Sequence, residues 1–269
     1  MPVLAVDLPS GVNGANGRIE GTAFAAVETV TFARPKPGHV LLPGADARGH
    51  LTLVDIGLDP TAVADAHRHQ QPPTWCNAPG LWAAARRRPE ASDHKYRRGH
   101  ATVVAGGIAT GGAARLAARA ALSAGAGLVT LLSPPAALLT HSCHLDAVMV
   151  RGLESDDLDP WLDDDRRNAW LLGPGGGVGP ALRAKVAAVL ARGRAAVLDA
   201  DALTSFAADV EGLARAIRGP TVLTPHAGEA ARLVAPGGDK LADARGLAAA
   251  TGAVVLLKGF DTVVAAPDG

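Results

Sequence analysis

A chain of 269 residues with 26 Lys+Arg against 26 Asp+Glu has no formal net charge, so it offers nothing for a nucleic acid or an anionic membrane surface to seize. The length admits one large α/β domain plus a remnant, or two modest domains, and either can bury a core. Cys76 and Cys143 lie far apart without metal-ligand spacing and no apolar run is long enough to cross a bilayer, which leaves a soluble cytoplasmic protein handling small molecules, with no nucleic-acid and no membrane partner.

The chain opens on a buried-strand run, Val3-Leu4-Ala5-Val6, which stops at Asp7-Leu8-Pro9-Ser10-Gly11. Thr29-Val30-Thr31-Phe32, followed by Arg34-Pro35-Lys36-Pro37-Gly38, and Leu51-Thr52-Leu53-Val54 give two further strands. Three strands with hardly any helix between them cannot cover both faces of a parallel sheet. Residues 1–58 are therefore expected to be the tail of a domain whose front lies upstream. Residues 59–79 are polar, contain Pro72-Pro73 and His67-Arg68-His69, and are expected to be a linker. Two histidines without further ligands nearby favour a solvated loop over a metal site. From Gly80 a helix is expected to lead to Arg86-Arg87-Arg88, a solvated helix end in which no aromatics interleave.

Residues 101–105 form the next expected strand, ending in the turn Gly106-Gly107-Ile108-Ala109-Thr110-Gly111-Gly112. A helix over 113–124, rich in alanine, a cap at Gly125-Ala126-Gly127 and a strand over 128–132 complete a βαβ unit. The turn has no Walker lysine and no acidic residue at dinucleotide spacing, so alone it says little. His141-Ser142-Cys143-His144 reads as a partly buried polar loop rather than a metal site, ahead of a short strand over 147–150; residues 156–167 read as a surface helix and turn.

Residues 171–229 organise the rest. Ala169-Trp170-Leu171-Leu172 stops at Gly173-Pro174-Gly175-Gly176-Gly177, Ala196-Val197-Leu198 stops at Asp199-Ala200-Asp201, and Val222-Leu223 stops at Thr224-Pro225-His226. Helical spacing fills 180–192 and 202–218 between them, an order that implies a parallel sheet with right-handed crossovers. Ligands of such sheets collect beyond the strands' carboxyl ends, where this chain places bare glycine amides, two carboxylates and a histidine. That rim suits phosphate binding and acid–base work. A helix carrying Glu229, a loop over 235–239, a helix over 241–250 and a strand over 253–257 then deliver Lys258-Gly259, and 262–265 is a last strand.

Taken together, His94-Lys95 with Gly99-His100, Gly106-Gly107, Thr110-Gly111-Gly112-Ala113-Ala114, Gly125-Ala126-Gly127, Gly173-Pro174-Gly175, Asp199-Ala200-Asp201-Ala202-Leu203, Thr224-Pro225-His226-Ala227-Gly228-Glu229 and Leu257-Lys258-Gly259 resemble the ADP-dependent NAD(P)H-hydrate dehydratases of the ribokinase-like superfamily. The Asp-Ala-Asp-Ala-Leu and Pro-His-x-Gly-Glu pair is the most diagnostic part. Asp7-Leu8-Pro9-Ser10-Gly11, Thr29-Val30-Thr31-Phe32 and Lys36-Pro37-Gly38 resemble the closing third of the NAD(P)H-hydrate epimerase domain that bacteria often fuse ahead of the dehydratase. The resemblance implies three parts: an epimerase remnant over 1–58, a linker over 59–79 and a carbohydrate-kinase-like dehydratase domain over 80–269. The implied fold is a ribokinase-like layered α/β fold with a mainly parallel sheet, truncated at its carboxyl end, behind a partial α/β epimerase-type domain.

The implied chemistry is repair of hydrated NADH or NADPH: the ring hydroxyl is phosphorylated at the expense of ADP and phosphate is eliminated, because phosphate leaves readily where hydroxide does not. On the resemblance, Ala113, Gly175, Gly177 and His226 bind the hydrated nucleotide, and Lys258, Gly259, Phe260, Asp261 and Thr262 bind ADP, with Mg²⁺. The usual Gly-Pro-Gly-Leu-Gly is here Gly-Pro-Gly-Gly-Gly. Asp199 and Asp201 hold magnesium-bound water or support the loops, and neither is assigned as the base. In the epimerase remnant, Asp7 contacts the hydrated nicotinamide and Ser10 helps hold K⁺; the full-length protein is expected to be a homo-oligomer.

The family's later Gly-Thr-Gly-Asp turn, source of its anion hole and catalytic aspartate, lies downstream of Pro267-Asp268-Gly269, and the epimerase's Asn-Asn-Gly loop lies upstream of Asp7. The expectation is weak nucleotide binding, little or no turnover and no epimerase activity from this polypeptide alone. Two other readings stay open: a ribokinase-like vitamin kinase, and a non-catalytic nucleotide-binding or scaffold fragment.

Overall fold

Short apolar runs closed by turns become two parallel sheets. The computed structural model describes residues 1–69 and 73–268; Pro72 of the expected linker and Gly269 at the end of the expected dehydratase domain lie outside the described residues. Strands β1 (Leu4–Val6), β2 (Glu28–Phe32) and β3 (His50–Val54) make a parallel sheet in that order. Strands β4 (His100–Val104), β5 (Leu128–Ser133), β6 (Met149–Gly152), β7 (Ala169–Leu172), β8 (Ala195–Leu198), β9 (Thr221–Leu223), β10 (Val254–Leu257) and β11 (Val263–Ala265) make a larger one, ordered β11-β10-β9-β8-β7-β4-β5-β6. In the larger sheet, β11 pairs antiparallel with β10 and every other pairing is parallel.

Helices α1 (Gly44–Ala47), α2 (Pro60–His69), α3 (Pro79–Trp82), α4 (Gly112–Ala124), α5 (Leu138–Cys143), α6 (Asp159–Leu162), α7 (Pro180–Ala191), α8 (Asp201–Thr204), α9 (Val210–Ala216), α10 (Ala227–Leu233) and α11 (Lys240–Thr251) fill the connections. Successive strand residues point to opposite faces, and here both faces are covered. Val104 and Leu132 join Trp170, Leu198 and Leu247 in one core cluster, while their neighbours Val103 and Leu131 join Ala114, Ala118 and Val129 in another. The alanines let α4 lie close against the sheet, with Ala114 and Ala118 wholly buried. Gly125 ends α4 at φ 115, a left-handed value that glycine adopts without a Cβ penalty.

The small sheet is covered unevenly. In β1, Ala5 is buried while Leu4 and Val6 face out, so the alternation leaves an open apolar face. The unit is seated on the carboxyl-terminal part: Leu41 enters the main core cluster, and Asn16 Nδ2 donates to Asp239 Oδ2 at 3.1 Å.

Four expectations about elements need correction. The helix over 202–218 is two helices, α8 and α9, because Phe206 turns into the core between them and Asp209 caps the second by accepting from Gly212 N at 2.8 Å. The helix from Gly80 stops at Trp82; it buries no residue, so no apolar stripe carries it toward Arg86-Arg87-Arg88. The expected linker carries α2, whose described residues are likewise unburied. The polar loop at His141 is the helix α5, with His141 wholly buried.

Candidate functional site: a continuous rim at the carboxyl ends of the strands

The strand order reverses between β7 and β4, and at that switch point the loops that follow the two strands touch. A Cβ on Gly106 would run into the carbonyl of Gly175, and one on Gly175, at φ 67, into the carbonyl of Thr110. Thr110 Oγ1 donates to Gly175 O at 2.9 Å. Glycine is required at both places because backbone meets backbone. Beneath this contact His141 places Nε2 3.2 Å from Gly106 O, and its ring fills the space in front of Gly111.

The contacts continue strand by strand. Gly173, at φ 124, packs on the carbonyl of Asp199, and Gly177 N donates to Asp201 Oδ2 at 2.9 Å. Between the two aspartates Ala200 takes φ 49, ψ −116, a conformation that costs a non-glycine residue about 1–3 kcal/mol and marks a site held by its surroundings. Asp199 Oδ1 accepts from Thr224 Oγ1 at 2.9 Å and from Lys258 Nζ at 2.7 Å, so one carboxylate joins the ends of β8, β9 and β10. Lys258 N in turn donates to Pro225 O at 2.8 Å, and His226 and Lys258 form an isolated parallel bridge.

His226 caps α10. Its Nδ1 accepts from Glu229 N at 3.2 Å while Glu229 Oε2 accepts from His226 N at 2.9 Å, a reciprocal box that the Pro-His-x-Gly-Glu spacing provides. As an acceptor Nδ1 carries no proton, which leaves Nε2 as the protonated nitrogen, 3.5 Å from Glu229 Oε1. The imidazole stands half in solvent.

Gly175, Gly177, His226 and Lys258 thus lie along one sheet edge, and Ala113 is the second residue of α4, directly behind the Gly106–Gly112 turn. From β4 to β10 is four inter-strand steps, roughly 19 Å at about 4.8 Å each. In the loop after β10, Gly259 O accepts from Thr262 Oγ1 at 2.8 Å and Phe260 is 91% exposed. The Asp261 carboxylate points inward, to Lys240 and to Leu42 N, which leaves its main chain to face any ligand of the loop. Asp199 ties Thr224 to Lys258, and Asp201 accepts from Gly177 N. Thr110 and Thr224, which the strand-end motifs already contain, and His141, whose part shows only in the fold, complete the rim.

A second centre lies at the carboxyl edge of the small sheet. Asp7, at φ 66, offers Oδ1 to Thr31 Oγ1 at 2.8 Å and to Lys36 Nζ, and its carbonyl to His39 Nε2 at 2.7 Å. The Lys36 hydrogen bond, aided by Thr31, holds the Asp7 carboxyl below the usual range against the opposing effect of burial. Burial likewise lowers His39, whose Nδ1 accepts from Lys36 N at 2.9 Å and is therefore unprotonated. Ser10 is exposed, its carbonyl accepting from Phe24 N at 3.2 Å. Among the described residues no group of three or more His, Cys, Asp or Glu side chains is placed to hold a metal, and no helix is long and apolar enough to cross a membrane.

A mainly parallel sheet whose glycine loops, carboxylates and lysine share one rim defines a layered α/β fold of the ribokinase-like class, and structural comparison agrees. A ribokinase-like superfamily protein from Enterococcus faecalis superposes with a TM-score of 0.58 at 24% identity, over 67% of this chain and 64% of the other. The ADP/ATP-dependent NAD(P)H-hydrate dehydratase of Bacillus subtilis, co-crystallised with ATP/Mg²⁺, superposes with a TM-score of 0.56 at 29% identity, over 68% of this chain and 65% of that one.

Residues 101–269 match the family model described as NAD(P)H-hydrate dehydratase, and the chain belongs to that family. Residues 1–38 match the model of the YjeF-related protein N-terminus. The bifunctional NAD(P)H-hydrate repair enzyme of Moorella thermoacetica is 40% identical over 283 residues, 99% of this chain and 52% of that protein. Its counterpart from Escherichia coli is 34% identical over 278 residues, 99% of this chain and 51% of that protein. The chain spans about half the length of the curated relatives it matches.

Proposed function

We propose that the rim binds ADP and a hydrated NADH or NADPH together, and that the protein's reaction is ADP-dependent dehydration of that hydrate. The observation that carries the reading is the unbroken run of contacts from Gly106 through Gly175, Asp201, Asp199 and Thr224 to Lys258, which forms one edge out of loops scattered over more than 150 positions of sequence. Ala113, Gly175, Gly177 and His226 receive the hydrated nucleotide, the glycines because backbone can approach it closely. Lys258, Gly259, Phe260, Asp261 and Thr262 receive ADP, with Lys258 setting a cation against the phosphates and Asp261 contributing main chain.

In the transfer, the ring hydroxyl releases its proton to solvent as its oxygen forms a bond to the terminal phosphorus of ADP, and the bond from that phosphorus to AMP breaks so that AMP departs. Loss of the phosphate with the neighbouring ring proton then restores the double bond. The residues of this chain position and neutralise rather than bond covalently. Mg²⁺ fits as an ion carried on the nucleotide, since it needs only one or two protein carboxylates beside the phosphates, and Asp199 and Asp201 are the rim carboxylates that would hold it. It would neutralise charge on the transferring group. At the second centre Asp7 is proposed to face the hydrated nicotinamide, and the Ser10 carbonyl, which keeps a second lone pair, to face K⁺. A cytoplasmic homo-oligomer completes the proposal.

Calorimetric titration of the purified chain with Mg·ADP and with hydrated NADH tests it. Binding of both, with Lys258→Met weakening ADP at least tenfold and leaving hydrate affinity within about twofold, supports the reading. Binding of vitamin alcohols instead of hydrated NADH, or of neither ligand, overturns it.

A further inference from the structure

Two carboxylates form the seam between the amino-terminal unit and the rest, and they are wired alike. Asp239 gives one oxygen to Ala242 N at 2.9 Å, capping α11, and the other to Asn16 Nδ2 at 3.1 Å. Asp261 gives Oδ1 to Lys240 Nζ and Oδ2 to Leu42 N at 2.8 Å. Each carboxylate thus has one oxygen in its own unit and one in the amino-terminal unit. Asp261 is the more buried pair member: its side chain is 6% exposed and that of Lys240 20%. A carboxylate so placed is tolerable only with both oxygens satisfied, and loss of either partner leaves an uncompensated charge.

Asp261 also sits inside the 258–262 loop. Phe260 points out while Asp261 points in, and Lys240 Nζ passes so close behind Gly259 that a Cβ there would collide with it. The loop is therefore held from the rear by the Asp261–Lys240 pair. On the other side, Leu42 follows directly on the segment whose Lys36 and His39 grip Asp7. The two centres described above are joined by one short stretch of chain and one carboxylate.

We propose that Asp261 is a positioning residue that sets the 258–262 loop and, through the Leu42 amide, couples nucleotide binding to the seat of the amino-terminal unit and its Asp7 centre. The proposal rests on the reading of that loop as the ADP site. A ligand that fixes the loop fixes Asp261, and by linkage whatever fixes residues 36–42 favours the same loop conformation.

The test uses the whole chain with Mg·ADP. Hydrogen exchange is expected to slow in the 258–262 loop and at the Leu42 amide together when Mg·ADP saturates the protein. Asp261→Asn is expected to weaken Mg·ADP at least fivefold, whereas Asn16→Ala, which cuts the seam at Asp239 instead, stays within twofold of the unmodified chain. Protection confined to the loop with Leu42 unchanged overturns the coupling, as does equal Mg·ADP affinity in Asp261→Asn or equal weakening in Asn16→Ala. The exchange measurement needs no variant, so it decides even where Asp261→Asn fails to fold. Absence of Mg·ADP binding by the unmodified chain overturns the nucleotide reading itself and this proposal with it, an outcome distinct from the others.

Discussion

His100 shows how one residue can tie stability to pH while standing away from the rim. It begins β4, is 4% exposed, and places Nε2 2.8 Å from Thr130 Oγ1 and 3.5 Å from Arg167 Nη1. Burial first, then the Arg167 charge, lowers its pKa from 6.5 to about 4, with Asp164 opposing and Arg166 assisting. The unfolded chain therefore binds a proton at its ordinary pKa that the folded chain refuses until near pH 4, so stability is full above pH 6.5 and falls as pH drops toward 4. The shift corresponds to something on the order of 3 kcal/mol. We expect His100→Gln to flatten the pH dependence of denaturant-unfolding free energy over that window; an unchanged slope would refute the assignment. Lys258 behaves differently. Its pair with Asp199 is partly exposed, and such pairs contribute about 1 kcal/mol or less, so Lys258→Met should cost ADP affinity far more than it costs melting temperature.

At the scale of elements, the loops carry more information than the helices. Gly175→Ala would need a Cβ where the Thr110 carbonyl lies, at a φ of 67 that alanine resists, so we expect a loss of about 1–3 kcal/mol in chemical denaturation. Loss under 0.5 kcal/mol would mean that the two loops do not touch in solution. The strands were legible because buried parallel strands read as short apolar runs closed by glycine or acid, and the observed Ala169–Leu172 coincides with its expected span. The rim was legible for the same reason: a strand end in a parallel sheet fixes on which edge the next residue falls. What escaped was tertiary. Phe206 and Asp209 divide a helically spaced run through a buried side chain and a cap, and neither α2 nor α3 has a fully buried side chain, so no buried apolar stripe announces where they start or stop. The Asp261–Lys240–Leu42 node joins residues 219 and 21 positions apart, which no local pattern could reveal.

The whole molecule is held as a unit by Leu41, Asn16 and Leu42, which dock the small sheet on α11 and the loop after β10. Leu41 is 6% exposed, so Leu41→Ala should destabilise by about 2–5 kcal/mol and lower the midpoint of a single calorimetric transition; two transitions, with the larger unmoved, would show the units to be independent. Coupled units with two polar centres suit the function proposed above, in which a damaged dinucleotide and a phosphate donor share one frame. The most direct measurement is a crystal structure grown with Mg·ADP and hydrated NADH. ADP phosphates beside Lys258 and the 258–262 loop, with the hydrated ring between Gly175 and His226, are the expected result. Both ligands lying away from the carboxyl edge of the large sheet would contradict it.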